Sequence, residues 1–435
     1  MIPSSSEKPV KITAAVESSW LKKLGPGLIT GAADDDPSGI ATYSQAGAQF
    51  GFSMLWTVLF TYPLMVGIQI VSARIGRVSG HGLATNIREH YPAWLLYSIV
   101  GLLLIANTIN IAADVAAMGE ALKLLIGGHA PFYAIGFGLV SLIMQIFIPY
   151  RRYVRVLKWL TLALLAYVAT VFVVHTPWTL VLTGALLPHL SWKPQYITTV
   201  VAVFGTTISP YLFFWQASQE VEEQQINPQA KPLRDAPEQA TANFQRIKLD
   251  TYIGMGFSNI VAFFIMLTTA VTLNLHGITD IQTSAQAASA LRPIAGEFAF
   301  LLFSAGIIGT GLLAIPVLAG SAAYAMAGAF NWKDSLELEL VGAKKFYSII
   351  AISTLIGVAF CFTPIDPIKA LYWSAVINGI ISVPIMALMM LMAVRPEIMG
   401  RFTITLRLKI LGWVCTGVMA LAVIAMFWTL GKFGH

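Results

Sequence analysis

The fold of this chain is decided by the stretch Thr30-Gly31-Ala32-Ala33-Asp34-Asp35-Asp36-Pro37-Ser38-Gly39, which places three consecutive aspartates and a proline inside an apolar segment. Each carboxylate at the centre of a membrane costs about 2.5–3.5 kcal/mol on insertion scales. Pro37 lacks the backbone N–H that a continuous helix needs, and Gly39 tolerates an unwound backbone. The stretch therefore predicts a break in a membrane-spanning helix, where carbonyl oxygens near Ala33 are released from helical hydrogen bonds.

The composition of the whole chain indicates a membrane as its solvent. Hydrophobic residues make up 57% of the 435 residues and charged residues 11%, whereas soluble proteins carry roughly 25% charged residues. An all-α integral membrane protein with eleven transmembrane helices is therefore predicted, since about 20 apolar residues cross the hydrocarbon core. The predicted spans lie near 25–50, 52–73, 95–126, 131–149, 154–174, 196–217, 251–275, 298–330, 346–363, 367–393 and 406–431.

Lysine and arginine are distributed unevenly between the predicted loops. If the N-terminus is cytoplasmic, 22 of the 27 basic residues lie on the cytoplasmic side, in the N-terminal tail and in 74–88, 151–158, 231–248, 333–345 and 395–409. This asymmetry is the positive-inside pattern. It predicts a multi-pass protein of the cell (inner) membrane with its N-terminus in the cytoplasm and its C-terminus outside. The polar start shows no signal-peptide cleavage pattern, and the net charge of +6 reflects topology rather than nucleic-acid binding.

A second proline interruption lies in the sixth predicted span, at Ile208-Ser209-Pro210-Tyr211. Five spans precede residue 196 and five more follow before the last, so each half begins with a broken helix. Paired broken helices are typical of inverted-repeat transporters with a substrate site at the midplane. We expect a cytoplasmic tail (1–24), a first five-helix repeat (25–176), a second five-helix repeat (177–393) with a cytoplasmic loop at 218–250, and an extra helix (394–435).

The three aspartates of the first break cannot all face one ion, because successive helical residues point about 100° apart. Asp36, which adjoins the break, is the predicted ligand, since a carboxylate beside freed carbonyls suits a hard cation. Asp34 and Asp35 either face an entrance and hold outer-shell water, or cap the broken half-helix. Cys361 and Cys415 both lie in apolar segments, which excludes a disulfide framework or a cysteine metal cluster.

The residues around both breaks resemble those of the Nramp family of divalent metal transporters. The first helix of that family carries Asp-Pro-Gly-Asn-Phe-Ala-Thr, and its sixth helix carries Gly-Ala-Thr-Val-Met-Pro-His. The corresponding stretches are Gly25-Pro26-Gly27, Asp36-Pro37-Ser38-Gly39-Ile40-Ala41-Thr42, Ala46-Gly47-Ala48 and Gly205-Thr206-Thr207-Ile208-Ser209-Pro210-Tyr211. The resemblance extends along most of the chain. It implies a LeuT-type fold with a 5+5 inverted repeat, alternating access, and a metal site shared by helices 1 and 6.

The departures from the family concern the ligands themselves. Carried over by position, the metal-binding aspartate is Asp36, while the family's asparagine ligand becomes Gly39 and its methionine ligand becomes Ser209. Carbonyl ligands fall at Ala33 and Thr206. Without the methionine sulfur the ligands are oxygens, which suit Mg²⁺, Ca²⁺ and Mn²⁺, and the loss of two side chains leaves room for an ion that keeps several waters. Alternatively, the Ser209 hydroxyl only satisfies a backbone group at the break.

This pattern is similar to the Nramp-related magnesium transporter branch. It predicts uptake of partly hydrated Mg²⁺, with Mn²⁺ as a co-substrate. The neighbouring aspartates are expected to hold part of the ion's water shell. Asn378 in the tenth span lies near the position of a family glutamine and is an additional outer-shell candidate, whereas Asn107 and Asn110 are expected to form hydrogen bonds between helices.

The proton-coupling residues of the family are largely replaced in this chain. Tyr211 stands where the family has a histidine, and a phenol is a poor proton carrier at neutral pH because its reference pKa is about 10. Asp114 matches the family's aspartate on helix 3, whereas the family's glutamate falls at Ala117. Glu120, one turn further on, either substitutes for it or reaches the outer interface beside Lys123. We therefore expect uptake without proton coupling, since a dication gains about 4.6 kcal/mol per 100 mV of membrane potential.

Two other transport functions remain open alternatives. One is a proton-coupled Mn²⁺/Fe²⁺ importer of the Nramp type, and the other is a Na⁺-coupled organic-solute symporter of the same fold, against which the acidic run 34–36 argues. An enzyme is excluded, because no nucleophile and base or metal triad is visible. The expected partners are the transported ion and the lipid bilayer, with no cofactor, no nucleic acid and no obligatory protein partner.

Overall fold

The computed structural model describes residues 26–148, 160–227, 229–333, 336, 342–363 and 366–433. In these residues the secondary structure is helical, without a β-strand. The longer helices are α1 (Pro26–Asp34), α2 (Pro37–Phe50), α3 (Leu55–Ser79), α4 (Ala93–Ile126), α5 (Ala130–Phe147), α6 (Leu165–Val173), α7 (Pro194–Thr207), α8 (Pro210–Ile226), α9 (Ala240–Thr272), α10 (Ala299–Phe330), α11 (Lys344–Phe360), α12 (Pro367–Ala393) and α13 (Leu406–Phe433). Short helices at Leu83–His90, Trp178–Leu186, Ser284–Ser289, Arg292–Ala295 and Pro396–Met399 connect some of them.

Both predicted helix breaks are confirmed. Between α1 and α2, Asp36 adopts an extended conformation as the N-cap of α2, and Pro37 occupies the first helical position. Between α7 and α8, Ser209 is the extended N-cap and Pro210 begins the second half. Proline is well tolerated at this position because the first turn of a helix has no use for its N–H. Each proline is thus the first residue of the second half of a broken helix.

The structure confirms a multi-pass, all-helical architecture. Eight continuous helical stretches of the described residues are long and apolar enough to cross a membrane, and one of them, Pro37–Ser79, contains both α2 and α3. The predicted spans near 154–174 and 346–363 correspond to α6 and α11, which have 9 and 17 residues. Because these helices are short in the part of the chain that the structure describes, the number of eleven crossings stays a prediction, as does the division into two repeats. The predicted tail 1–24 and the basic loop 151–158 lie outside the described residues.

The loop predicted at 218–250 is shorter in the structure. Helix α8 continues to Ile226 and α9 begins at Ala240. Charged residues of the two helix ends pair with each other: Arg246 forms ion pairs with Glu220 and with Glu223, the latter at 3.1 Å. A charged sequence therefore remains helical here because charges of opposite sign from two helices meet.

The broken helices occupy the centre of the molecule. The most apolar part of Pro194–Ile226 is entirely buried, whereas only a third of the corresponding part of Leu406–Lys432 is buried. Helix α1 packs closely on α9, where a side-chain carbon added to Gly31 would lie 2.3 Å from the backbone of Gly254. Helices α4, α9 and α12 pack around the first break and contribute the side chains described below.

Candidate metal site at the helix breaks

Asp36 is held in place by three hydrogen bonds. Its Oδ1 accepts from the backbone N–H of Gly39 and from the hydroxyl of Ser38, both at 2.7 Å. Its Oδ2 accepts from the side-chain amide of Asn110 at 2.8 Å. The residue is 1% exposed. The bond from the Gly39 N–H is that of an N-cap, so Oδ1 caps the helix and Oδ2 faces α4.

The two breaks are joined by Tyr211. Its hydroxyl donates to the carbonyl oxygen of Ala33 at 3.1 Å, linking the first turn of α8 to the end of α1. Ala33 and Tyr211 are both buried. A carbonyl oxygen has two lone pairs, so the Ala33 oxygen keeps one for a further partner.

Ser209 bonds within its own break. Its hydroxyl donates to the carbonyl oxygens of Gly205 at 2.7 Å and Thr206 at 2.9 Å. These carbonyls belong to the last turn of α7 and would otherwise lack part of their hydrogen bonding. In this structure the Ser209 hydroxyl therefore satisfies backbone groups at the break, as the alternative interpretation expected. Its oxygen atom remains beside the Thr206 carbonyl.

Gly39 lies against the second break. A side-chain carbon placed on it would meet the Thr206 hydroxyl at 3.2 Å, the carbonyl oxygen of Asp34 at 3.4 Å and the ring of Tyr43 at 3.4 Å. Position 39 is thus close to α7, and an asparagine there would need its neighbours to move. The structure brings Asp36, Gly39 and Thr206 to the same place.

Asp34 and Asp35 meet a residue of α9 that the sequence did not single out. The hydroxyl of Ser258 lies 2.6 Å from Oδ2 of Asp34 and 3.0 Å from Oδ1 of Asp35. Both aspartates are at most 2% exposed, so they do not face an open entrance in this structure. The signal in the sequence is the spacing of Asp250, Gly254 and Ser258, which places these three residues on one face of α9.

A network of amides connects Asp36 to α4 and α12. The amide nitrogen of Asn110 also lies 3.2 Å from Oδ2 of Asp114, and the amide nitrogen of Asn378 lies 3.2 Å from Oδ1 of Asn110. All four residues are fully or almost fully buried. Asp114 and Asn378 therefore reach Asp36 through Asn110, which sequence reasoning had treated as an ordinary interhelical residue.

Glu120 lies apart from this group. Its carboxylate pairs with Lys123 at 3.1 Å on the same helix, and it lines a cavity of about 700 Å³ between α4, α5 and α12. The role of Glu120 in a proton path stays a prediction. Among the described residues, no group of three or more His, Cys, Asp or Glu side chains is arranged to hold a metal ion, so any ion at the breaks needs oxygens from the backbone, amides, hydroxyls or water.

The family description "Natural resistance-associated macrophage protein-like" (Nramp) matches residues 27–429 of this chain. The chain belongs to the Nramp family. This confirms the resemblance read from the two broken helices, and it makes the chain a transporter rather than an enzyme. The magnesium branch of the resemblance stays a prediction.

Relatives of this Nramp chain cover nearly its whole length. A divalent metal cation transporter, MntH, of Burkholderia ambifaria is 25% identical over 410 residues, which is 92% of this chain and 87% of the relative. The MntH protein of Klebsiella pneumoniae is 24% identical over 427 residues, covering 96% of each.

Solved structures show the same fold. The manganese transporter of Eremococcus coleocola superimposes with a TM-score of 0.73 at 16% identity, covering 96% of this chain and 89% of that one. Mhp1, a nucleobase-cation-symport-1 family transporter, gives a TM-score of 0.57 at 14% identity, covering 94% and 93%. The Nramp chain therefore has the LeuT-type fold that the family resemblance implied.

Proposed function

We propose that this chain takes up divalent metal cations across the cell membrane, chiefly partly hydrated Mg²⁺ and also Mn²⁺, without coupling to protons. Membership of the Nramp family and the MntH relatives, which are named divalent metal cation transporters, support the transport of divalent metals. The identity of the ion is argued from the residues at the breaks.

The chemistry of the two breaks carries the choice of ion. The oxygen groups that the two breaks offer are the Asp36 carboxylate, the carbonyl oxygens of Ala33 and Thr206 and the hydroxyl of Ser209. Each offers oxygen, and the position that would carry sulfur holds Ser209. Oxygen ligands suit Mg²⁺ and Mn²⁺, whereas sulfur favours softer metals.

Hydration of the ion follows from the small number of available ligands. Oδ1 of Asp36 is used to cap α2, and the two carbonyl oxygens each accept one hydrogen bond already. Few direct protein ligands thus remain for one ion. Mg²⁺ loses water reluctantly and usually keeps several waters in protein sites, so an ion that keeps most of its water shell matches this site.

The contacts of Tyr211 support uptake without proton coupling. Its hydroxyl donates to the Ala33 carbonyl and so holds the two breaks together. One observation favours the alternative of a proton-coupled Mn²⁺/Fe²⁺ importer: Asp114 is only one amide away from Asp36. A carboxylate at that place is a second acidic group within the same network.

The proposed orientation places the N-terminus in the cytoplasm and the C-terminus outside. On the proposed outer side, a cavity of about 310 Å³ lies between α2, α7 and α12 and is lined by Gln45, Asp280 and Lys369 among others. On the opposite side, Oδ2 of Asp250 accepts from the N–H of Gly27 at 2.6 Å, closing α1 against α9. A cavity on the proposed outer side and this contact between α1 and α9 on the opposite side support entry of the ion from outside.

Uptake into proteoliposomes tests this proposal. Mg²⁺, Mn²⁺, Ca²⁺ and Cd²⁺ are offered outside at equal concentration, an inside-negative potential is imposed, and internal pH is recorded in parallel. We expect uptake of Mg²⁺ and Mn²⁺ without internal acidification, its loss in Asp36→Ala, and normal uptake in the control Glu120→Gln. Strong preference for Cd²⁺ contradicts the choice of ion, and acidification that follows metal entry contradicts uncoupled transport.

A further inference from the structure

Asn110 lies at the centre of the polar network beside Asp36. It is fully buried on α4, and its amide nitrogen lies 2.8 Å from Oδ2 of Asp36 and 3.2 Å from Oδ2 of Asp114. Its amide oxygen lies 3.2 Å from the amide nitrogen of Asn378 on α12. One side chain thus contacts residues of the first break, of its own helix and of α12.

The acidic neighbours determine how the Asn110 amide is oriented. A side-chain amide has two N–H donors on nitrogen, while its oxygen only accepts. Asp36 and Asp114 each offer an oxygen to the same end of Asn110. The NH₂ group must therefore face both carboxylates, because the opposite orientation would place three acceptor oxygens against one another.

This orientation in turn determines that of Asn378. The oxygen of Asn110 can only accept, so Asn378 must present its NH₂ group to it. The oxygen of Asn378 then points away from Asn110. It is buried and has no hydrogen-bond partner among the described residues. The Asn107 oxygen also lacks a partner, but the Asn378 oxygen belongs to the network that reaches Asp36. An amide oxygen is a ligand that hard cations accept.

We propose that Asn110 is a positioning residue, which holds Asn378 with its amide oxygen free to bind the transported cation or one of its waters. This inference rests on the proposed function, since it concerns the same ion. Asn110 is not itself a ligand, because its nitrogen carries protons and its oxygen is used by Asn378. Asn110 acts by selecting which end of Asn378 faces the ion.

Asn107 provides the comparison that separates this role from simple helix packing. It is a fully buried asparagine of the same helix, one turn earlier. Its amide nitrogen donates to the carbonyl oxygen of Leu318 at 2.8 Å and to the hydroxyl of Ser321 at 2.7 Å, both on α10. Asn107 thus joins two helices without contacting Asp36 or Asn378.

Calorimetric titration of the purified full-length chain with MgCl₂ and MnCl₂ tests the proposal. Asn110→Ala is expected to weaken binding about tenfold or more, since residues that orient metal ligands contribute about 10–100-fold to affinity. Asn110→Leu keeps the volume without the amide and is expected to do the same. Asn107→Ala is expected to leave the affinity unchanged even where it lowers the melting temperature.

A second substitution, at Asn378, distinguishes the positioning role of Asn110 from a role in helix packing. In Asn378→Asp both terminal atoms are oxygens, so no partner is needed to select one of them. Asn110→Ala should therefore weaken binding in the natural background and not in the Asn378→Asp background. Equal weakening in both backgrounds, unchanged affinity in both Asn110 variants, or an equal loss in Asn107→Ala overturns the proposal.

The proposed function and this inference fail in different ways. If the unmodified chain binds neither ion, or if Asp36→Ala binds them equally well, the proposed function is wrong and the role of Asn110 is wrong with it. If Asp36→Ala abolishes binding while both Asn110 variants bind as the unmodified chain does, only the positioning role is overturned.

Discussion

At the scale of single residues, Asp36 combines two tasks on its two carboxylate oxygens. Oδ1 caps α2 through the N–H of Gly39 and also accepts from the Ser38 hydroxyl, and Oδ2 contacts the amide of Asn110. The cap explains why an intramembrane carboxylate is stable at this place: it satisfies a donor that the broken helix would otherwise leave unpaired. The second oxygen is the one we assign to the ion.

Asp36→Asn separates these two tasks. Asparagine is about as good an N-cap as aspartate, so the melting temperature is expected to change little. Metal affinity is expected to fall by more than about 100-fold, since even residues that only orient ligands contribute about 10–100-fold. Calorimetry and thermal unfolding of the same sample measure both. Unchanged affinity in this variant would remove Asp36 from the site.

Because Ser209 offers oxygen rather than sulfur, we expect it to make the site prefer hard cations such as Mg²⁺ over soft ones such as Cd²⁺. Ser209→Met introduces sulfur beside the Thr206 carbonyl and is expected to shift binding towards Cd²⁺ and away from Mg²⁺. Ser209→Ala is the matched control, because it also removes the hydroxyl bonds to Gly205 and Thr206 without adding sulfur. Competition titrations give the Cd²⁺/Mg²⁺ ratio for each variant. The same ratio in both variants would refute the argument from ligand softness.

The roles of single residues could be predicted from the sequence only where their partners are neighbours in the chain. Asp36, Pro37 and Gly39 are neighbours, so their joint effect on the helix could be derived. Asn110 was missed as a functional residue because its partners, Asp36 and Asn378, are 74 and 268 residues away. The link from Ser258 to Asp34 spans 224 residues and depends on how α9 packs on α1.

At the scale of elements, α1 is attached to α9 by contacts one helical turn apart. Residues 250, 254 and 258 of α9 follow each other at intervals of four, close to the helical repeat. They meet the N–H of Gly27, the backbone of Gly31 and the carboxylates of Asp34 and Asp35 in turn. The small residue Gly254 allows the two helices to approach closely at the middle contact.

Gly31→Ala tests this packing. The added carbon would lie 2.3 Å from the backbone of Gly254, so the helices must separate, and such overpacking costs about 1–3 kcal/mol. We expect a lower melting temperature. Gly101→Ala on α4 is the control, because a side-chain carbon there meets nothing within 4 Å, and alanine favours a helix over glycine. Equal melting temperatures for both variants would contradict the close packing of α1 on α9.

The helices could be predicted where a proline or the length of an apolar segment determines their bounds. Both breaks follow from Pro37 and Pro210, and most of the longer helices coincide with predicted spans. The loop at 218–250 was predicted too long because a charged sequence resembles a loop. The ion pairs of Arg246 with Glu220 and Glu223 become visible only when α8 and α9 are side by side.

At the scale of the whole molecule, burial differs between the broken sixth helix, formed by α7 and α8, and the last helix, α13. The broken sixth helix lies at the centre, entirely buried in its most apolar part, and the last helix is largely exposed at the periphery. The loop at Ile281 contacts α2, because the backbone N–H of Ile281 donates to the side chain of Gln45 at 2.9 Å. Contacts of α1 with Asp250 and of α2 with Ile281 thus lie on the two sides of the break at Asp36.

The position of a bound ion is the most direct test of the central claim, which is that the metal site lies at the two helix breaks. Crystals of the full-length chain grown with Mn²⁺ locate the ion through its anomalous scattering. We expect a peak between the breaks, beside Oδ2 of Asp36 and the carbonyl oxygens of Ala33 and Thr206. A peak at the Asp34, Asp35 and Ser258 cluster, with none beside Asp36, would contradict it.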